Sequence, residues 1–295
     1  DAAMYRAKQS GRARIELYDD VLRDRTQRRH EMTEQLQGAI DEQQLEVHYQ
    51  PMVNLTTGKV ASVEAFVRWL HPTRGLLRPG DFLELAVETG LDTDLDRLVI
   101  ERACQDAARW HEALGDAAPR VHVNVTARTT LSGALPAAID HCLRVTNIPP
   151  ELLCLEMSEG FLMEGGELTE GRIDQIRSLG VQLAIDDVGT AATSLQQLRR
   201  YRLDILKVDG TLVAEMSASP DGDRLVGAAV AMGRALDLQV TVEGVEDATT
   251  IGRLRDLGAS LAQGHVFAEA MPAARIEPLL TLRSTIARAD DDREA

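Results

Sequence analysis

Basic residues are in short supply. The chain of 295 residues carries 32 Lys and Arg against 47 Asp and Glu, a net charge of −15 with histidines neutral. A surface of that sign argues against broad binding to a nucleic-acid polymer, which needs a basic face. It leaves room for a small anionic ligand, because bound metal ions reverse the local field. Cysteine is scarce too: Cys104, Cys142 and Cys154 show no Cys-x-x-Cys spacing. An odd count without a signal peptide points to a reducing, cytoplasmic compartment, with Cys104 and Cys154 as reduced core residues. No apolar run approaches the ~18–20 residues of a membrane span. The opening Asp1-Ala2-Ala3-Met4 is neither a targeting segment nor a natural start, so the chain reads as a stretch of a longer protein. Aromatics make up 3% of residues, which leaves Ala, Leu and Val to carry the core. No internal repeat at the ~20–50 residue periods of solenoids is present.

What is present is an alternation. Short runs rich in β-branched residues fall at Leu45–Val53, Lys59–Leu70, Val121–Thr126, Leu152–Met157, Val181–Asp186, Leu203–Asp209, Leu238–Glu243 and Ala259–Gly264. Most are apolar nearly throughout, as parallel strands buried on both faces must be. From the second strand onward the intervening segments read as helices, for example Leu95–Leu114, Gly171–Leu179 and Asp223–Leu236. Eight strands alternating with helices, in a chain near the ~250 residues typical of such folds, predict an α/β barrel of the TIM type. The first connection breaks the pattern. Only Asn54–Gly58 separates the first two strands. A parallel crossover needs about a dozen residues, so this pair must be an antiparallel hairpin. The prediction is therefore a modified (β/α)8 barrel with an antiparallel first strand.

The chemistry shows where the apolar strands stop. The second strand carries Glu64, the third Asn124, the fourth Glu156, and the fifth Asp186 followed by Asp187. The sixth carries Lys207, the seventh Glu243 and the eighth Gln263. In a barrel the C-terminal strand ends converge on one mouth, where active sites sit. Any one of these carboxylates alone would more often be a solvated or helix-capping group. Together they are costly to bury unpaired, and one lysine offers too little positive charge. Divalent cations are the natural counterions. Oxygen ligands without a nearby histidine or cysteine favour Mg²⁺ or Mn²⁺. A pair of ions ~3.5–4 Å apart would suit in-line displacement at phosphorus.

Before the barrel, Ala2–Lys8 reads as the end of a helix and Gly11–Tyr18 as a strand. Asp19–Ile40 then reads as a charged linker helix. The last residues, Ala287–Ala295, are charged and expected to be disordered.

The same residues resemble a known family. Glu64-Ala65-Phe66, followed by Val67-Arg68-Trp69, looks like the Glu-Ala-Leu signature of EAL-domain phosphodiesterases of cyclic di-GMP. Gln50-Pro51, His71-Pro72, Asn124-Val125-Thr126, Glu156-Met157-Ser158-Glu159, Asp186-Asp187-Val188-Gly189-Thr190, Leu206-Lys207-Val208-Asp209, Glu243-Gly244-Val245-Glu246 and Gln263-Gly264 fall in the family's order. The resemblance covers roughly Met32–Leu280, and that family's barrel has a reversed first strand. The N-terminal Asp1–Lys8 with Gly11-Arg12 resembles the last helix and strand of a GGDEF (diguanylate cyclase) domain, whose catalytic half is absent. The resulting division is 1–20 for the GGDEF remnant, 21–31 for the linker helix, 32–285 for the barrel and 286–295 for the tail.

The resemblance implies that Glu64, Asn124, Glu156, Asp186 and Asp187 hold two Mg²⁺ or Mn²⁺ ions, with Glu243 close by as a ligand or a proton carrier. Lys207 would orient the attacking water or steady the phosphoryl oxygens, and Gln263 would position the water and metal shell. Arg68 would pair with a substrate phosphate. Gln50 would contact a guanine edge, Phe66 would stand beside the ligand, and Glu159 would anchor the loop after the paired aspartates. Cyclic di-GMP is the implied substrate and linear pGpG the product. A homodimer and upstream GGDEF and sensory domains are the implied partners. The sequence also departs from the family. Phe66 replaces Leu, Val87 a frequent Glu, and Gly160 a Ser. Asp186-Asp187-Val188-Gly189-Thr190-Ala191-Ala192-Thr193-Ser194 replaces Asp-Asp-Phe-Gly-Thr-Gly-Tyr-Ser-Ser, and Glu269-Ala270 replaces Arg-Pro. These changes keep a second class open: a cyclic di-GMP receptor or protein-interaction module without turnover. No metal ligand is lost, which favours the enzyme.

Overall fold

The structure, a computed structural model, describes residues 20–42, 44–190, 195–219 and 221–282. Outside them lie the expected GGDEF remnant (Asp20 apart), Ala191 and Ala192 of the altered loop, and the tail. Two compact units form. The larger holds Glu46–Val67 and the chain from Thr93 onward, and the smaller holds the chain through Leu45 with Arg68–Asp92.

The strands are β1 (Leu45–Asn54), β2 (Val60–His71), β3 (Gly75–Leu77), β4 (Arg120–Asn124), β5 (Leu153–Ser158), β6 (Gln182–Val188), β7 (Ile205–Val208), β8 (Gln239–Val242), β9 (Leu261–Gln263) and β10 (Met271–Pro272). In the larger unit β2, β4, β5, β6, β7, β8 and β9 pair side by side, each parallel to the next. β1 runs antiparallel to β9 and pairs with β2 on its other side, which closes an eight-stranded barrel. The β1–β2 hairpin is tied by the Asn54 amide donating to the Lys59 carbonyl at 2.8 Å. Asn54 Oδ1 also accepts from the Thr56 and Thr57 amides, an Asx turn that sets the short connection. The reversed first strand thus follows from five residues of sequence.

The parallel strands are sealed on both faces. Leu153–Met157 of β5 is buried without a break, as is all of β7. Helices begin where these strands end, because capping residues sit there. Ser158 Oγ accepts from the Phe161 amide, and Asp209 Oδ1 from the Thr211 amide. Three expected helices occupy Asp92–Leu114, Glu167–Arg177 and Gly222–Ala235. Two strands go beyond the predicted eight. β3 pairs with the Trp69–His71 end of β2, and β10 pairs with His48 and Tyr49 of β1. Among the described residues no helix is long and apolar enough to cross a membrane.

The smaller unit contains the helix Asp20–Asp41, which spans the expected linker at 21–31 and runs on past it. His71 Nε2 meets Gln35 Oε1 at 3.1 Å, and Trp69 packs edge-on against Phe82 at 5.7 Å between ring centroids.

One glycine fixes how the loop after β8 crosses the end of β9. A Cβ on Gly264 would fall 2.0 Å from the Val245 carbonyl oxygen. The Val245 amide already donates to the Gln263 carbonyl at 3.0 Å, so neither backbone can yield. Gly264→Ala is expected to cost ~1–3 kcal/mol or more by overpacking. In a thermal melt that is a drop of several degrees (~2–4 °C per kcal/mol for a domain of this size). A melting temperature equal to the parent's would contradict the close packing.

Candidate active site

Strand register decides which side chains meet. Glu64 stands opposite His122, and Asn124 opposite Glu156. Glu156 stands opposite Ala184, Ala184 opposite Ile205, and Lys207 opposite Thr241. Met52 of β1 stands opposite Gln263 of β9. Because side chains alternate with period two, residues 50, 64, 66, 122, 124, 156, 186, 207 and 263 fall on one face, the barrel interior. Cys154, Ala184 and Ile205, of the same parity, form a buried apolar floor. Asp187 has the opposite parity. A register shift between Ile185 and Val188, together with φ +60 at Asp187, turns this exposed carboxylate to the same cavity as Asp186.

The mouth is a cavity of about 340 Å³. Gln50, Glu64, Phe66, Asn124, Asp186, Asp187, Glu243 and Gln263 line it, joined by Gly244, Glu246, Gly264 and His265. Lys207 lies beneath, wholly buried. Its Nζ donates to Glu156 Oε2 at 2.6 Å and to Glu64 Oε2 at 3.0 Å. It also forms ion pairs with Glu243 Oε1 at 2.6 Å and Asp186 Oδ1 at 3.2 Å. Asn124 Nδ2 donates to Glu64 Oε1 at 2.6 Å, and Gln263 Nε2 donates to Glu64 Oε2 at 2.9 Å. Gln263 Nε2 also lies 3.0 Å from Gln50 Oε1, while Gln50 Nε2 donates to the Ala268 carbonyl at 3.0 Å. The buried Glu159 accepts from the Gly189 amide at 3.3 Å, so it touches the loop that follows the paired aspartates. Arg68 belongs to the smaller unit and is absent from the cavity lining.

The expectation of a site without a nearby histidine does not hold, because His122 lies against one of the acids. His122 shares strand parity with Asn124 and is fully buried, with Nδ1 2.7 Å from Glu156 Oε1. The signal was its position two residues before Asn124 on a strand. His122 lies one layer deeper than the strand ends.

One ammonium among four carboxylates leaves an excess of negative charge, and the acids register it. Burial, then Glu64, pushes the Glu156 carboxyl well above the usual range. Burial raises Asp186 against the pull of Lys207. Partial desolvation against the cavity wall, then Asp186 and Asp209, raise Asp187. Burial carries Glu243 up to about 8 despite Lys207. For Lys207 burial favours proton loss, yet Glu156, Glu243, Glu64 and Asp186 prevail and hold the ammonium charged. Burial, then Lys207 and Arg120, drives His122 well below its ordinary value, so the imidazole is neutral.

A divalent cation fits this cluster. Carboxylate oxygens of Glu64, Glu156 and Asp186 lie within 4.8 Å of one another. Ligands on one ion at the ~2.0–2.6 Å of Mg²⁺ or Ca²⁺ oxygen bonds span similar separations. Gln263 Oε1, buried beside Glu64, has no hydrogen-bond partner among the described residues.

The raised acids make a pH prediction for the metal-free chain. Unfolded, Glu243 loses its proton near the ordinary 4.5, whereas folded it holds the proton to about 8. Its contribution to stability is therefore complete below the lower value and lost as pH rises through the upper one. Thermal melts in chelator should fall steadily from pH 5 to pH 8. A melting temperature that climbs across that interval would contradict the buried excess of carboxylates.

Comparison with known proteins agrees with this geometry. The chain is 37% identical over 278 residues to the cyclic di-GMP phosphodiesterase NbdA of Pseudomonas aeruginosa, covering 94% of this chain and 35% of that protein. It is 36% identical over 277 residues to the cyclic di-GMP phosphodiesterase PdeR of Escherichia coli, covering 94% of this chain and 42% of that one. The chain thus spans well under half the length of these relatives. Among solved structures, the PaMucR phosphodiesterase in complex with c-di-GMP superposes with a TM-score of 0.80 at 33% identity, covering 83% of this chain and 99% of that one. The family described as EAL domain matches residues 33–270, from the helix before β1 to the end of the last cavity loop, and the chain belongs to that family.

Proposed function

We propose that this chain hydrolyses cyclic di-GMP to linear pGpG with two divalent cations, Mg²⁺ or Mn²⁺. The observation that carries the reading is the group of three carboxylates within 4.8 Å of one another at a barrel mouth of about 340 Å³. Glu64, Asn124, Glu156, Asp186 and Asp187 are the residues that would hold the ions. When bound, the ions supply Lewis acidity to a phosphoryl oxygen and lower the pKa of water.

The side chains then divide the work. Lys207 keeps its proton at Nζ and presents a fixed positive charge beneath the charge that develops at phosphorus. Glu243 lines the cavity with Oε1 2.6 Å from Lys207 Nζ, and would take a proton from water and return it. Gln263 holds Glu64 Oε2, and Asn124 holds Glu64 Oε1, so this carboxylate cannot rotate. Phe66 lines the cavity as an apolar wall for the ligand. The water oxygen ends on phosphorus, one phosphodiester P–O3′ bond breaks, and the ribose 3′-oxygen takes up a proton. In this reading Gln50 meets a guanine edge and Glu159 steadies the loop after Asp187.

The test is an assay of this chain with cyclic di-GMP in Mn²⁺ and in Mg²⁺, with products separated by chromatography. The expected result is pGpG, lost on adding chelator. Binding of cyclic di-GMP by calorimetry in Ca²⁺ without any product in Mn²⁺ would overturn the proposal and move the chain to the receptor class.

A further inference from the structure

We infer that His122 is a positioning residue that restricts Glu156 to one metal-facing oxygen. The inference rests on the metal reading above and adds a residue to it. His122 and Glu156 are both fully buried, on neighbouring strands β4 and β5. Imidazole Nδ1 lies 2.7 Å from Glu156 Oε1. Against an ionised Glu156, the form that can hold a cation, that nitrogen carries the proton and donates, which fixes the tautomer. Oε1 is thereby committed to the barrel interior. Oε2, bonded to Lys207 at 2.6 Å, is then the oxygen that His122 leaves open to a cation. Glu156 can then meet a cation through a single oxygen, and a two-oxygen grip is closed to it.

Nothing else on the ring explains a histidine here. Nε2 is buried and has no hydrogen-bond partner among the described residues. The neighbours across the sheet are Glu64 on one side and Cys154 on the other. An apolar residue would fill that layer without leaving a buried nitrogen bare, which carries a desolvation cost. The one polar contact that offsets this cost is the bond to Glu156. His122 therefore stands to a ligand carboxylate as the outer partners of metal sites do: it orients the group without touching the ion.

The test is a Mn²⁺ titration of the substrate-free chain, followed by electron paramagnetic resonance of free and bound ion. Three variants are compared. His122→Leu keeps bulk and removes the donor. His122→Asn keeps a donor close to the Nδ1 position. His122→Gln carries its amide too far along the side chain to replace Nδ1. Loss of the donor is expected to weaken Mn²⁺ binding ~10–100-fold. The Asn variant should stay within about threefold of the parent and keep the parent's bound-Mn²⁺ line shape, while the Leu variant changes both. Thermal melts in chelator separate these effects from a loss of fold. Should the Leu variant fail to fold, the Asn and Gln variants carry the same contrast. Leu or Gln binding Mn²⁺ within about twofold of the parent, or Asn as weak as either, overturns the inference while leaving the metal site standing. A parent chain that takes up no Mn²⁺ overturns the metal reading and this inference with it.

Discussion

Glu64→Ala is expected to remove cyclic di-GMP hydrolysis in Mg²⁺ or Mn²⁺ by at least ~10³-fold, beyond the ~10²–10³ that loss of one preorganised electrostatic contact costs. Glu64 is 3% exposed and stands at the centre of the polar cluster. Its Oε1 accepts from Asn124, and its Oε2 accepts from both Lys207 and Gln263. Alanine therefore removes one carboxylate of the candidate metal group and a hydrogen-bond acceptor shared by three other side chains. The fold should survive, because Lys207 keeps Glu156, Asp186 and Glu243 as counterions. Circular dichroism and a melt of the variant separate lost chemistry from lost structure. Turnover within tenfold of the parent, in a folded variant, would remove Glu64 from the proposed site.

Lys207→Met is the second large effect, and it acts on stability as well as rate. Methionine matches the length of the lysine stem but leaves Glu64, Glu156, Asp186 and Glu243 with no buried cation. Breaking a buried ion cluster by removing one partner costs ~3–5 kcal/mol. The stranded carboxyls can take up protons, so the loss should be smaller at pH 5 than at pH 8. At ~2–4 °C per kcal/mol the metal-free variant should melt roughly 6–20 °C below the parent at pH 8. Mn²⁺ supplies the missing positive charge and should restore much of that difference, since a ligand bound to the folded state alone raises its stability. Turnover should stay lost even in the Mn²⁺-restored variant, because the fixed charge under the phosphoryl group is gone. A metal-free variant as stable as the parent at pH 8 would show that the four carboxylates do not share the ammonium.

The barrel was legible because its rules are local. Eight apolar runs separated by helical segments gave the strands to within a few residues, and five residues between the first two forced the reversed strand. β3 and β10 were not legible, since strands of three and two residues carry no periodicity. The site was legible in part. Parity along each strand was readable in the sequence, and register then brought Gln50, Glu64, Phe66, Asn124, Asp186, Glu243 and Gln263 to one cavity. Asp187 reaches that cavity against its parity, through a bulge with φ +60 that no glycine announces. The sequence offers Lys207 as one positive charge, too little to balance five acids. Its reach to four of them depends on strand stagger, which the sequence does not print. His122 is illegible for the same reason: its partner Glu156 is 34 positions away in the chain.

The most direct measurement is turnover of cyclic di-GMP by this chain with Mn²⁺ in water enriched in ¹⁸O, with mass spectrometry of the products. The account requires attack by water on one phosphodiester, so it predicts pGpG carrying one heavy oxygen on its terminal phosphate, and none formed in chelator. Cyclic di-GMP recovered intact and unlabelled after incubation with the folded, Mn²⁺-supplied chain would contradict it.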